Sequence, residues 1–203
     1  MLPSLLVWDI AEMGIASVAF AAGNSYADCR DAVSSRSPGV LCVNSTPGVI
    51  TAGALDINGV PQYYSSRGPG QCSRLHPFIS APTFGVLPWG MGYIDTGGQG
   101  GGTSSASPQV AGALALMKGF APEATNLDLM VALAVSAERT VPAASSQYGY
   151  PVLYDHATGF GKLRVDHALS ALPLVQSFPV YREFIAKHLM TPPVPGILPP
   201  LVK

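Results

Sequence analysis

The sequence predicts a three-layer α/β fold, in which helices cover both faces of a mostly parallel sheet. Short apolar runs that end at glycines or turns alternate with helical patterns along the chain. Hydrophobic residues make up 48% of the composition, which is enough for a substantial core, and 22 glycines and 19 prolines supply tight turns. The length of 203 residues suits one domain with a tail.

The first half of the chain is predicted to supply a helix and most of the strands. Residues 2–13 carry an apolar stripe at helical spacing, and residues 16–21 form a short apolar run typical of a fully buried parallel strand. A turn is predicted at residues 56–59. Further short strands are expected at residues 40–43, 49–54, 62–65 and 78–80, and residues 84–87 form another short apolar segment.

The second half is predicted to be mainly helical. Residues 106–117 are small or apolar almost all round, which favours a buried helix. Thr125 is expected to cap the next helix, with Asp128 at the reciprocal capping position. A closing helix is predicted at residues 165–172.

The composition changes after Pro173, where prolines become frequent. We therefore assign residues 1–172 to one domain. Residues 173–203 are predicted to form a Pro-rich tail with one short helix at residues 181–190.

The strongest chemical pattern is the run GTSSASPQVAG at residues 102–112. Gly101 and Gly102 let the backbone turn sharply before Ser104. Ser104 is then expected at a helix start, where free N–H groups and the positive helix end favour a developing negative charge. Pro108 is expected in the first turn, where a missing N–H costs little. The structural alternative for Ser104 is a simple helix cap.

Three other segments accompany this run in a fixed order. They are SVAFAAGN at residues 17–24, YSSRGP at residues 64–69 with ISAP at residues 79–82, and GFGKLRVD at residues 159–166. Together with the serine run, they resemble the subtilisin-like serine proteases over roughly residues 1–172.

The resemblance implies a subtilisin-like fold and a set of site residues. Ser104 corresponds to the nucleophile, and Asn24 to the residue whose side-chain amide donates to the oxyanion. The carboxyl ends of parallel strands meet at one rim, which is expected to bring Asn24 close to Ser104. The implied substrate-binding residues are Ala21, Ala22, Gly23, Gly102 and Thr103.

A serine nucleophile also needs a base and an acid that orients the base. The family carries its His and Asp segments before the Asn, but the first histidine here is His76. Asp95-Thr96-Gly97 spells the aspartate motif in the wrong place, and we interpret it as a turn. We therefore expect the amino-terminal part of the catalytic domain to be missing. An upstream segment or a partner chain would supply the Asp and His, and this chain alone is expected to be almost inactive.

Two other functions remain as alternatives. The chain could be a non-catalytic relative that serves as a binding or assembly module. It could also be an α/β-hydrolase esterase that uses Ser104, Asp155 and His167 in that order, although a glycine loop precedes the serine where that fold requires a strand.

The expected partners are peptide or protein substrates. A net charge of −1 without a basic cluster argues against a nucleic-acid surface. Residues 1–23 contain Asp9 and Glu12 and lack a basic start, which argues against a membrane span. No cofactor is expected. The resemblance allows calcium but no site can be assigned, and it implies secretion. Cysteines 29, 42 and 72 could be bridged in part or free.

Overall fold

The computed structural model describes residues 2–25, 40, 43–68, 75–83, 101–140 and 152–191. These described residues contain three strands: β1 (Val18–Ala21), β2 (Val49–Leu55) and β3 (Ile79–Pro82). The α-helices are α1 (Leu2–Glu12), α2 (Gly102–Phe120), α3 (Asn126–Ser136), α4 (Val165–Ala171) and α5 (Pro179–Ile185). Short 3-10 helices occur at Val43–Ser45 and Leu172–Ser177, and a π-helical turn follows α5 at Ala186–Met190.

The strands form a parallel sheet in the order β1-β2-β3. Val18 lies opposite Val49, and Ala52 lies opposite Ile79. A parallel bridge from Ser80 to Lys162 and an antiparallel bridge from Lys162 to Glu138 extend the pairing beyond β3. The parallel sheet with its helices confirms the predicted α/β class.

Helix α2 packs against all three strands of the sheet. Its buried face contains Thr103, Ala106, Val110, Ala113, Leu114 and Met117. The hydrophobic core continues into α3, whose residues from Leu129 to Leu133 are fully buried, and into an edge-to-face contact between Phe78 and Phe160. This packing fixes the start of α2 against the end of the sheet.

The predicted cap of α3 is confirmed in detail. The Thr125 hydroxyl accepts a hydrogen bond from the backbone N–H of Asp128, and the Asp128 carboxylate accepts one from the backbone N–H of Thr125. Arg182 on α5 also donates to this carboxylate. Burial would raise the pKa of the Asp128 carboxyl, but the hydrogen bonds from Thr125 and Arg182 hold it below its usual value.

Several local predictions were wrong. Strand β1 is parallel but only half-buried, because it has a neighbour on one side only within the described sheet. Helix α2 is buried on one face, and Leu116 and Phe120 on its other face are each 60% exposed. Val43 lies in a 3-10 helix, and residues 62–65 form a turn after the bridge from Leu55 to Pro61. The short apolar segment at residues 84–87 lies outside the described residues.

The predicted short helix near the carboxyl end is present and packs against α3. Phe184, Ile185 and Leu189 are buried in the same core as the sheet. The division at residue 172 stays a prediction.

Candidate active site

Asn24 follows β1 and its side chain is fixed by the first turn of α2. The backbone N–H and the hydroxyl of Thr103 both donate to Asn24 Oδ1, each over 2.9 Å. Because a backbone N–H can only donate, the oxygen of the amide must face Thr103. The Nδ2 group of Asn24 therefore points away from Thr103 and is left to donate elsewhere.

Gly102 leaves space for the Asn24 side-chain amide because it has no Cβ atom. A Cβ atom on Gly102 would lie 2.5 Å from Nδ2 and 3.0 Å from Cγ of the Asn24 side chain, which is a collision. The φ of Gly102 is 56°, a left-handed conformation that side chains disfavour. The glycine before Ser104 therefore lets the Asn24 amide lie directly against the backbone at the start of α2.

Ser104 is the third residue of α2, and its side chain is exposed. The cap of this helix is Gly101, which makes no side-chain capping bond, so Ser104 is not the cap of the structural alternative. Its backbone N–H belongs to the first turn, whose donors have no acceptor within a helix. The exposed hydroxyl, this N–H and the neighbouring Asn24 amide are polar groups at one rim of the sheet.

The prediction for Pro108 was wrong. Pro108 lies inside the helix, beyond the first turn. It has no N–H to donate to the Ser104 carbonyl four residues earlier, so the helical hydrogen bond at this position is missing.

The backbone from Ala21 to Gly23 is held on both sides. Ala22 is buried and its N–H donates to Ala52 of β2, while the Ala21 carbonyl accepts from Asn44 Nδ2 over 2.7 Å. The Gly23 N–H donates to the Thr103 hydroxyl over 3.1 Å. Thr103 itself is fully buried. The sequence did not reveal that Thr103 orients Asn24, because hydrogen bonding across 79 positions leaves no local pattern.

All four histidines are described, and no hydrogen bond joins any of them to Ser104 within the described part of the chain. His76 is fully buried, and this burial lowers its pKa to about 3. Burial also lowers the pKa of His156 and of His188. The ring of His188 lies against Phe184, with 4.8 Å between the ring centres.

The residues of the esterase alternative are engaged elsewhere. Asp155 accepts hydrogen bonds from the backbone N–H groups of Ala157 and Thr158 in a turn. His167 is exposed on α4, where its Nε2 lies 3.1 Å from an Arg164 nitrogen and 3.7 Å from an Asp166 oxygen. Hydrogen bonds from Arg164 lower the pKa of Asp166 to about 2. Asp95 lies outside the described residues.

Nothing in the described ranges groups three His, Cys, Asp or Glu side chains closely enough to hold a metal ion. The helices described here include none that is long and apolar enough to cross a membrane. Cys29, Cys42 and Cys72 all lie outside the described residues.

The described residues thus form an α/β protein in which a parallel sheet brings Asn24 to the helix start that carries Ser104. The family model of the subtilases, peptidase family S8, matches residues 6–151. This chain belongs to the subtilase family, whose members are serine peptidases that act on peptides or proteins and are commonly secreted. A comparison with curated proteins finds no match.

Proposed function

We propose that this chain is the carboxyl-terminal part of a subtilisin-type endopeptidase domain, with Ser104 as its nucleophile. The observation that carries the proposal is the Asn24 amide. Its oxygen is held by Thr103, and its NH₂ group lies against Gly102, two residues before Ser104. A donor fixed in this way costs no reorganisation when charge develops on a substrate oxygen.

The chemistry follows from these positions. Ser104 Oγ attacks the carbonyl carbon of a peptide bond. Its proton passes to a histidine of the complementing segment, which is the upstream segment or partner chain that carries the triad Asp and His. The carbonyl oxygen becomes an oxyanion, to which Asn24 Nδ2 and the Ser104 N–H donate. The C–N bond then breaks, the proton passes to the leaving amine, and water hydrolyses the acyl ester on Ser104. The reaction needs no cofactor.

Substrate contacts and location belong to the same proposal. The backbone of Ala21, Ala22 and Gly23 would form one wall of the primary pocket, and Gly102 and Thr103 would border the scissile bond. The triad Asp and His would come from an upstream segment or a partner chain. The chain would be secreted, as members of this family commonly are.

The proposal is tested by labelling Ser104 with a fluorophosphonate probe and locating the adduct by mass spectrometry. The 203-residue chain alone should label slowly, because a lone serine has no base. Addition of the amino-terminal half of a subtilase, with its Asp and His, should accelerate labelling by at least about a hundredfold. Ser104→Ala should abolish the adduct.

The same experiment separates the alternatives. If the complementing half binds but labelling does not accelerate, the chain is a binding or assembly module. If the chain alone labels rapidly and His167→Ala stops this, the esterase hypothesis is correct.

The Asn24 amide should contribute strongly to the rate of the complemented protein. In subtilisin, a member of this family, loss of the equivalent amide donor lowers kcat by roughly a hundred- to thousandfold, so Asn24→Ala should have a comparable effect.

A further inference from the structure

Asn24 lies in a short turn that is held from two separate segments of the chain. Thr103 of α2 binds the side chain of Asn24 and the N–H of Gly23. The second segment contains Ser66, which is buried with 3% of its surface exposed. Thr103 and Ser66 thus belong to two segments that are far apart in the sequence.

Ser66 binds the residues on both sides of Asn24. Its backbone N–H donates to the Gly23 carbonyl over 2.8 Å, and its hydroxyl accepts from the Ser25 N–H over 3.4 Å. A Cβ on Gly23 would lie 3.0 Å from Ser66 Oγ, so the two segments are in close contact. Rotation of the Asn24 backbone would have to break these contacts.

The segment that carries Ser66 is itself anchored to the sheet. The neighbouring Ser65 is fully buried, and its hydroxyl accepts from the Ala54 N–H over 3.0 Å. The Gln62 N–H donates to the Ala54 carbonyl over 2.9 Å. Ser66 is therefore held at the end of β2, the strand next to the one that leads to Asn24.

From these contacts we infer that Ser66 is a positioning residue for the oxyanion donor Asn24. The inference rests on the proposed function of Asn24. Thr103 sets which way the amide faces, and Ser66 sets where the backbone that carries the amide lies. Ser66 does not touch the reacting atoms.

The first test uses NMR on the 203-residue chain and needs no catalysis. The two side-chain amide protons of Asn24 should give resolved resonances in the unmodified chain. Ser66→Ala should move these resonances toward the positions of unstructured asparagine, and Ser66→Cys, which keeps a weak acceptor, should move them less. The matched control is Ser80→Ala, which removes a buried hydroxyl that donates to the Thr158 carbonyl over 3.0 Å and should leave the resonances unmoved. Unchanged resonances in Ser66→Ala, or equal changes in Ser80→Ala, overturn the inference.

The second test uses the rate of fluorophosphonate labelling of the complemented protein. Ser66→Ala should lower the rate about five- to tenfold, the effect of one lost hydrogen bond. In an Asn24→Ala background it should lower the rate no further, because Ser66 acts only through the Asn24 amide, which that background lacks. An equal loss in both backgrounds overturns the inference while the function stands. If complementation never gives labelling, the proposed function fails and the NMR result alone decides the placement of Ser66.

Discussion

The orientation of one amide determines what this rim of the protein can do. An asparagine side chain can present either its oxygen or its nitrogen, and only the nitrogen can donate to an oxyanion. Thr103 removes this ambiguity by donating to Oδ1 from both its N–H and its hydroxyl. Thr103 thus orients the Asn24 amide, a role that its position in the serine motif does not indicate.

Gly102→Ala should damage the site more than the fold. The new Cβ would collide with the Asn24 amide, and the φ of 56° would be strained. We expect a loss of about 1–3 kcal/mol in the free energy of unfolding, measured by urea titration, and loss of the resolved Asn24 side-chain resonances. Gly112→Ala is the control, because nothing lies within 4 Å of its Cβ position in the exposed part of α2. That change should stabilise the chain by about 0.5–1 kcal/mol. Equal effects of the two substitutions contradict this account.

His76 should make the protein sensitive to mild acid. Among the described residues, neither ring nitrogen has a hydrogen-bond partner, and burial lowers the pKa of His76 to about 3. The unfolded chain takes up a proton below about pH 6.5, but the folded chain does not until about pH 3, so stability falls as the pH falls through this window. Between pH 6.5 and 5 the loss from this residue should approach about 2 kcal/mol.

Urea titrations of His76→Met at several pH values test this expectation. The variant should lose less stability than the unmodified chain as the pH falls. Part of the dependence should remain, since burial also lowers the pKa of His156 and of His188. His167→Met, at an exposed position, is the control. If His76→Met leaves the pH dependence of stability unchanged, His76 is not buried as described.

The elements with local signals are those that the sequence predicts well. The capping box of α3 is readable because Thr125 and Asp128 are three residues apart and need no distant partner. The mostly apolar run at residues 49–54 predicts strand β2, and the structure buries all seven residues of this strand. The predicted parallel sheet also indicates that Asn24 and the start of α2 share one rim, and the hydrogen bonds from Thr103 to Asn24 connect them.

The errors concern burial and long-range contacts. The apolar run of β1 is typical of a strand covered on all sides, but burial depends on neighbours that the strand's own sequence does not specify. Likewise, the hydrophobic residues of α2 point to a core helix, yet Leu116 and Phe120 are exposed. The hydrogen bond from the Ser25 N–H to the Ser66 hydroxyl joins residues 41 positions apart, which no sequence periodicity can indicate.

The capping box should carry measurable stability. Thr125→Ala removes the acceptor for the Asp128 N–H and the hydroxyl that donates to the Asp128 carboxylate. We expect the free energy of unfolding to fall by about 1 kcal/mol in urea titrations. Thr125→Ser keeps the hydroxyl and is the control, with a loss of less than half that amount. A loss of equal size in both variants would mean that the methyl packing of Thr125, and not the cap, stabilises α3.

On the surface of the molecule beside the proposed nucleophile, α2 exposes small side chains. Ser104, Ala111 and Ala115 lie on one exposed face of α2 at spacings of seven and four residues. Small side chains allow another helix to approach closely. We expect a segment that supplies the base for Ser104 to cover this face.

Addition of the amino-terminal half of a subtilase should therefore raise the unfolding temperature of this chain in a concentration-dependent manner. Ala115→Arg would place a charge on the covered face and should prevent this rise, while the unfolding temperature of the chain alone should hardly change. Ser177→Arg, at an exposed position in the 3-10 helix after α4, is the control. A rise that survives Ala115→Arg would show that the segment binds elsewhere.

The central claim is that the Ser104 hydroxyl and the Asn24 amide act on the same carbonyl. A crystal structure of the complemented protein with a phosphonate bound covalently to Ser104 tests it most directly. We predict that one phosphonyl oxygen lies about 2.7–3.1 Å from both Asn24 Nδ2 and the Ser104 backbone nitrogen. A phosphonyl oxygen that faces solvent, with Asn24 Nδ2 bound to another acceptor, would contradict the claim.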